Sequence, residues 1–169
     1  KSKLDSEILS VVGDKNGKWI GIAPFAQHDS KAYPLDLIQK VIHQLVEKTN
    51  YKILLFGGGK NEIETLELIS KSHKNIISVG FQKDVRPYFA ISHCLVFPSY
   101  REGFPNVVMQ AGAMGLPSIV SNINGCNEII QEGINGSIIP SKDREYLYKE
   151  MHKIISDEAW RKQLAGNAR

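Results

Sequence analysis

The sequence contains little cysteine and no grouping of residues that would hold a metal ion. The two cysteines, Cys94 and Cys126, form no CxxC pair, and the five histidines are dispersed along the chain. These residues therefore show no spacing that is typical of a metal site. Cys94 falls in an apolar run, which is typical of a buried thiol in a reducing compartment such as the cytoplasm.

The sequence also lacks a large excess of charge of one sign and a long apolar run. The 21 basic and 18 acidic residues give a net charge of +3, and the basic residues are scattered, which argues against nucleic acid as a partner. The longest apolar runs, such as Ile53–Phe56, have the length of a strand and not of a membrane span. No leader segment opens the chain, and its first residue, Lys1, is what we expect of an excised fragment.

Short apolar runs alternate with helical patterns along nearly the whole chain, and most of the runs end at glycine or proline. The predicted strands are 18–23, 51–56, 75–79, 94–97, 118–120 and 136–139; the predicted helices are 35–48, 62–70, 85–92, 106–114, 127–131, 146–155 and 159–164. This order predicts a doubly wound, Rossmann-like parallel sheet of about six strands with helices on both faces, forming one domain over 1–169.

The loops after the strands are the candidate binding loops. In a doubly wound sheet, ligands bind beyond the carboxyl ends of the strands, near the point where the strand order reverses. These loops are 24–33, 57–61, 80–84, 99–106 and 121–127, and they are rich in glycine, proline and small polar residues.

The loop 99–106, SYREGFPN, combines an acid with the start of a helix. Free amides at a helix start attract an anion such as a diphosphate, and Gly103 lets a ligand approach the backbone closely. Glu102 cannot assist with a phosphate, so sugar hydroxyls are its expected partners. Gln110 follows on the same side about two turns later, where its amide could meet a ribose. A solvated turn acid and a surface amide explain this loop equally well.

The loops 24–33 and 57–61 each carry a lysine. Lys31, after the first strand, could neutralise a phosphate as a point charge, although an exposed polar loop is the simpler explanation. The stretch 56–62, FGGGKNE, lacks the GxxxxGK[ST] spacing, and no GxGxxG follows the first strand. Neither a nucleoside triphosphatase nor a Rossmann dinucleotide enzyme is therefore indicated.

Residues 96–140, VFPSYREGFPNVVMQAGAMGLPSIVSNINGCNEIIQEGINGSIIP, resemble the donor-binding half of the retaining group 1 glycosyltransferases, which have the two-lobed GT-B fold. Residues 80–93, GFQKDVRPYFAISH, resemble the segment that precedes it in that family. These enzymes build capsules, lipopolysaccharide, glycogen and sucrose. Their signature is a glutamate, seven residues and a second glutamate.

The resemblance implies a role for each position of this motif. Glu102 would contact the hydroxyls of the donor sugar, and position 110 would meet the ribose. Gln110 stands where the family has its second glutamate, and a neutral amide accepts hydrogen bonds less strongly than a carboxylate. The backbone at Gly103 and the amides around Phe104, Asn106 and Val107 would meet the diphosphate; Gly80 and Phe81 would border the base.

The first part of the chain departs from this family, which usually carries an arginine and a lysine after its first strand. Here IGIAPFAQHDSKAYP offers Lys31 and no arginine. Residues 1–70 look more like the heptosyltransferases, inverting GT-B enzymes of lipopolysaccharide assembly that use ADP-heptose, whereas residues 75–169 resemble group 1. We therefore predict a hybrid chain, natural or constructed, with its junction near 70–75.

The resemblance implies the carboxyl-terminal lobe of a glycosyltransferase that binds a nucleotide-diphosphate sugar, retains the anomeric configuration and needs no metal. Lys31 and the helix-start amides would stabilise the leaving diphosphate, and Glu102 would orient the sugar. The amino-terminal acceptor lobe would be missing, so the lobe alone would transfer nothing. The full enzyme would be cytoplasmic, with peripheral membrane association. Three alternatives are an inverting heptosyltransferase-like lobe, a folded chimera without activity, and a GT-B epimerase, which the Glu102 motif disfavours.

Overall fold

The computed structural model of the protein describes residues 2–13, 17–24, 33–57 and 59–169. The strands are β1 (Trp19–Ile22), β2 (Lys52–Phe56), β3 (Ile76–Gly80), β4 (Cys94–Phe97), β5 (Ser118–Ser121) and β6 (Gly136–Ile139). The helices are α1 (Ser2–Val12), α2 (Leu35–Lys48), α3 (Lys60–Lys71), α4 (Arg86–Ile91), α5 (Asn106–Ala113), α6 (Cys126–Ile129), α7 (Arg144–Ser156) and α8 (Glu158–Asn167).

The strands form one six-stranded sheet in the order β3-β2-β1-β4-β5-β6, and every pair of neighbours is parallel. The predicted fold class is thereby confirmed. The order reverses between β1 and β4, where the amide of Ala23 donates a 3.0 Å hydrogen bond to the carbonyl of Val96. The loops that follow these two strands therefore begin side by side at the carboxyl edge of the sheet.

Alternate residues of the strands contribute to two separate hydrophobic cores, because successive side chains of a strand point to opposite faces of the sheet. Ile20 and Ile22 belong to a first core, which α2, α3, α7 and α8 cover. Trp19 belongs to a second core on the opposite face, where α1, α4, α5 and α6 pack. The buried Cys94, predicted from its apolar run, belongs to the first core.

Several helix boundaries follow from capping side chains. The helix predicted at 146–155 begins at Arg144, because the Asp143 carboxylate accepts a 2.9 Å hydrogen bond from the Tyr146 amide. Asp157 caps α8 in the same way through the amide of Trp160. Helix α1 was not predicted; Ile8 and Val12 of this helix are buried in the second core. No helix of the described residues is both long enough and apolar enough to cross a bilayer.

Candidate functional site

An open cleft of about 760 Å³ lies at the carboxyl edge of the sheet. The loops after β2 and β3 form one side, and the start of α5 forms the other. Its lining residues are Ala23, Phe56, Gly57, Gly59, Glu62, Gly80, Phe81, Gln82, Lys83, Val85, Phe97, Asn106, Val107 and Gln110. A volume of this size suits a ligand as large as a nucleotide.

The cleft brings together five of the residues selected from the sequence, namely Gly80, Phe81, Asn106, Val107 and Gln110. Gly80 has a φ of +60°, and its carbonyl accepts a 3.2 Å hydrogen bond from the amide of Gly57, so the loops after β2 and β3 are tied together. The next residue, Phe81, turns its ring outward and is 72% exposed. An aromatic face of this kind can stack on a planar ligand.

The start of α5 presents backbone donors to the cleft. Pro105 precedes the helix and offers no side-chain cap. The first hydrogen bonds inside the helix are donated by Val108 and Met109 to the carbonyl of Pro105, at 3.1 and 3.3 Å. The amides of Asn106 and Val107 come before these bonds, so they have no carbonyl within the helix to pair with. This is the geometry in which a helix start binds an anion.

Glu102 lies outside the cleft, in a smaller hollow of about 250 Å³ that Tyr100, Arg101, Ile123 and Asn124 also line. The hydroxyl of Ser99, a buried residue, donates a 2.9 Å hydrogen bond to Oε1 of Glu102. The carboxylate is therefore held by its own turn while still facing a space of about the size of a monosaccharide. Gly103 is exposed and Phe104 is 53% exposed on the same loop, between this hollow and the start of α5.

The loop after β5 supports the turn that carries Glu102. Gly125 has a φ of +80°, and a Cβ atom built on it would lie 1.9 Å from the carbonyl oxygen of Gly103. The two backbones therefore touch. The next residue, Cys126, is buried, and burial together with the nearby Glu102 carboxylate raises the pKa of its thiol to about 12. The thiol stays protonated at neutral pH, which excludes it as a nucleophile.

Lys83 is a cleft residue that the sequence reasoning missed. It follows Gly80 and Phe81 in the loop 80–84, which was identified as a binding loop, but its charge was not selected. The neighbouring acid, Asp84, is paired with Arg86 at 2.7 Å, and that hydrogen-bonded contact lowers the pKa of Asp84 to about 2. The other charged cleft residue, Glu62, accepts a 2.7 Å hydrogen bond from the Gly59 amide at the start of α3.

The predictions for Lys31 and for a metal-independent site are not tested by the geometry of the cleft. Lys31 lies outside the described residues, so its predicted role as a phosphate-neutralising cation stays a prediction. Within the described ranges, no three side chains of histidine, cysteine, aspartate or glutamate come together in a way that could hold a metal ion.

The family model "Glycosyl transferases group 1" matches residues 24–157, and it runs through the predicted junction near 70–75. The chain is 28% identical, over 77% of its length, to the Staphylococcus aureus capsular polysaccharide biosynthesis glycosyltransferase CapM. It is 30% identical, over 73% of its length, to the N,N'-diacetylbacillosaminyl-diphospho-undecaprenol alpha-1,3-N-acetylgalactosaminyltransferase of Campylobacter jejuni. The matched segments span 37% and 32% of these relatives, so the chain corresponds to well under half of each.

The fold is similar to that of a solved structure. Anabaena Alr3699/HepE, solved in complex with UDP and glucose, superposes with a TM-score of 0.80 at 16% sequence identity. The match covers 99% of this chain and 47% of the Anabaena chain. With the family model covering most of its length, this chain belongs to the group 1 glycosyl transferases.

Proposed function

We propose that this chain is the lobe of a glycosyltransferase that binds a nucleotide-diphosphate sugar. The observation that carries the proposal is the cleft at the carboxyl edge of the sheet, which joins Gly80, Phe81, Asn106, Val107 and Gln110. The Anabaena protein of the same fold was solved with UDP and glucose. The nucleoside would occupy this cleft, with its base beside Phe81 and its ribose within reach of the Gln110 amide.

The diphosphate would lie at the start of α5. The amides of Asn106 and Val107 donate toward it, and the positive end of the helix dipole favours its charge. Lys83 adds a cation on the opposite wall of the cleft, and Lys31 is the second proposed cation. When the bond between the anomeric carbon and the diphosphate oxygen breaks, these groups stabilise the negative charge that collects on the leaving diphosphate. We propose that they do so in place of a divalent ion.

The sugar would occupy the hollow next to Glu102. The carboxylate accepts hydrogen bonds from sugar hydroxyls, and the hydrogen bond from Ser99 fixes its direction. Glu102 thus orients the sugar and does not contact phosphate. We propose transfer with retention of configuration, in keeping with the group 1 membership of the chain.

The transfer itself would need a second lobe that holds the acceptor, because the chain spans well under half of the relatives described above. The 169-residue chain alone should therefore bind the donor weakly and transfer nothing. The names of those relatives refer to a capsular polysaccharide and to an undecaprenol-linked sugar. We propose a cell-surface polysaccharide or lipopolysaccharide as the product, built at the cytoplasmic side of a membrane that the full enzyme contacts peripherally.

Calorimetry with UDP-, GDP- and ADP-sugars and with the bare nucleotides tests the proposal. Glu102→Ala removes charge-assisted hydrogen bonds to the sugar, so we expect it to weaken sugar-nucleotide binding by roughly 10- to 100-fold and bare-nucleotide binding by much less. Glu47→Ala, which removes an exposed acid from α2 on the other face of the sheet, is the matched control.

The same measurements also distinguish the proposed function from its alternatives. An equal loss for both ligand types would remove Glu102 from the sugar site, and no binding of any sugar nucleotide by the unchanged chain would defeat the proposal. A preference for ADP-heptose would favour the inverting, heptosyltransferase-like alternative. A chain that unfolds cooperatively but binds none of these ligands would favour the alternative of an inactive chimera.

A further inference from the structure

Three loops at the carboxyl edge of the sheet meet at the ring of Tyr100. Tyr100 follows β4, and its ring centroid lies 5.6 Å from that of Tyr33, which precedes α2 in the connection from β1. The ammonium group of Lys142, in the loop after β6, lies 5.0 Å from the same Tyr100 ring. Tyr100 is therefore held by two contacts, one with an aromatic ring and one with a cation.

The contact between the two tyrosines depends on their rings and not on their hydroxyl groups. Tyr33 is 2% exposed, and Tyr100 packs against the same first core. Both hydroxyl oxygens are buried without a hydrogen-bond partner among the described residues. Among the described residues, the contact between these two side chains therefore rests on their rings.

Lys142 is held in an unfavourable backbone conformation at this contact. Its φ of +68° lies in the left-handed region, and no other described residue except glycine has a positive φ. Such a conformation costs energy and persists where the surroundings impose it. The next residue, Asp143, caps α7 and so fixes the loop on its other side.

We propose that Tyr100 is a positioning residue for Glu102, and this rests on the function proposed above. Tyr100 stands two positions before Glu102, and both line the same hollow. On the other side of Tyr100, the buried Ser99 donates a hydrogen bond to the Glu102 carboxylate. Anchoring of the Tyr100 ring fixes the turn between β4 and Glu102. The carboxylate then meets the sugar without first having to be ordered.

A double-mutant cycle on the 169-residue chain tests this, with UDP-glucose and UDP as ligands. Tyr100→Ala should weaken UDP-glucose binding by roughly tenfold and leave UDP binding within about twofold, because an ordered carboxylate contributes only to sugar binding. Tyr100→Phe keeps the ring and should restore the wild-type ratio. If Tyr100 acts through Glu102, adding Tyr100→Ala to Glu102→Ala should cause no further loss. Losses that multiply in the double variant would overturn the proposal.

A second measurement needs no ligand and separates the two proposals. Backbone NMR order parameters at 101–104 should be near 0.85 in the unchanged chain and fall below about 0.6 in Tyr100→Ala, while those of α5 stay high. Tyr100→Phe should remain rigid throughout. If the unchanged chain binds no sugar nucleotide, the proposed function fails. If the turn stays rigid in Tyr100→Ala, the positioning role of Tyr100 fails, whatever the ligand data show.

Discussion

The α-carbon of Gly125 lies so close to Gly103 that a Cβ atom on it would stand 1.9 Å from the Gly103 carbonyl oxygen. This contact joins the loop after β5 to the loop that carries Glu102. Because a carbonyl oxygen of the backbone cannot move away as a side chain can, the position tolerates only glycine.

Gly125→Ala should therefore be strongly destabilising. The positive φ alone costs an alanine about 1–2 kcal/mol, and the clash with the backbone of Gly103 adds to it, so we expect a loss of at least about 2 kcal/mol in urea denaturation. Gly103→Ala is the matched control. A Cβ atom there meets nothing within 4 Å, so the change should stay within about 0.5 kcal/mol. Equal losses in the two variants would refute the contact.

Gln110→Glu should strengthen nucleotide binding. A carboxylate accepts hydrogen bonds from a diol more strongly than an amide does, and we expect a gain of roughly threefold to tenfold in affinity for UDP. Gln110→Ala should weaken binding. Measurement with 2′-deoxy and 3′-deoxy analogues of UDP identifies the contact, because the gain should disappear when the hydroxyl that meets position 110 is removed. A gain that persists with both analogues would place the ribose elsewhere.

Lys83→Ala should weaken the binding of UDP by roughly twofold to fivefold at low salt, and by less at high salt, because the side chain lines an open cleft. Lys162→Ala is the matched control: it removes the same charge from α8, where Lys162 pairs with Glu158 at 2.7 Å. Titration calorimetry at two ionic strengths checks both variants. The role of Lys83 would be contradicted by an equal effect of the two substitutions, which would indicate a contribution of net charge only.

Stability should fall as the pH rises above about 9. Burial raises the pKa of the Cys126 thiol to about 12, and burial also raises that of Cys94. Above their unfolded pKa, the unfolded state releases the thiol protons while the folded state keeps them. Each thiol then lowers the free energy of unfolding by up to about 1.4 kcal/mol per pH unit.

Urea denaturation between pH 8 and pH 10 measures this slope. Cys126→Ala should reduce it, even though the variant starts from a lower stability because a buried side chain is truncated. An unchanged slope in Cys126→Ala would show that this thiol does not contribute. Below pH 8 both states keep their thiol protons, so no dependence on these groups is expected there.

The sheet could be predicted well because its signals are local. Each strand is a short apolar run that ends at a turn residue, and Leu35–Lys48 repeats its apolar residues with helical spacing, so both were recognised without knowledge of neighbours. The loops that line the cleft followed from the rule that ligands bind at the carboxyl ends of parallel strands, whereas Gly80 and Phe81 were selected through the resemblance to the group 1 glycosyltransferases. Helix α1 escaped prediction, although it places Ile8 and Val12 in the second core.

Contacts between loops could not be predicted from the sequence. The packing of Tyr33 on Tyr100 and the contact of Gly125 with Gly103 join residues that are remote in the chain and belong to no regular pattern. The sequence shows that residue 83 is a lysine, but whether its side chain lines the cleft depends on how the loop after β3 folds against α5. The predicted junction near 70–75 falls between β2 and β3, which pair in parallel with one shift of register between Leu55 and Phe56.

The sheet separates the two hydrophobic cores, and the two cores differ in how they contribute to the cleft. Apart from the exposed Phe81, every apolar side chain that lines the cleft, including Phe56, Phe97 and Val107, belongs to the second core or packs against it. The first core, between the sheet and α2, α3, α7 and α8, contributes none of them. Substitutions in the first core can therefore change the stability of the lobe while the walls of the cleft keep their shape. Variants with altered stability and unaltered nucleotide affinity are best sought on that side.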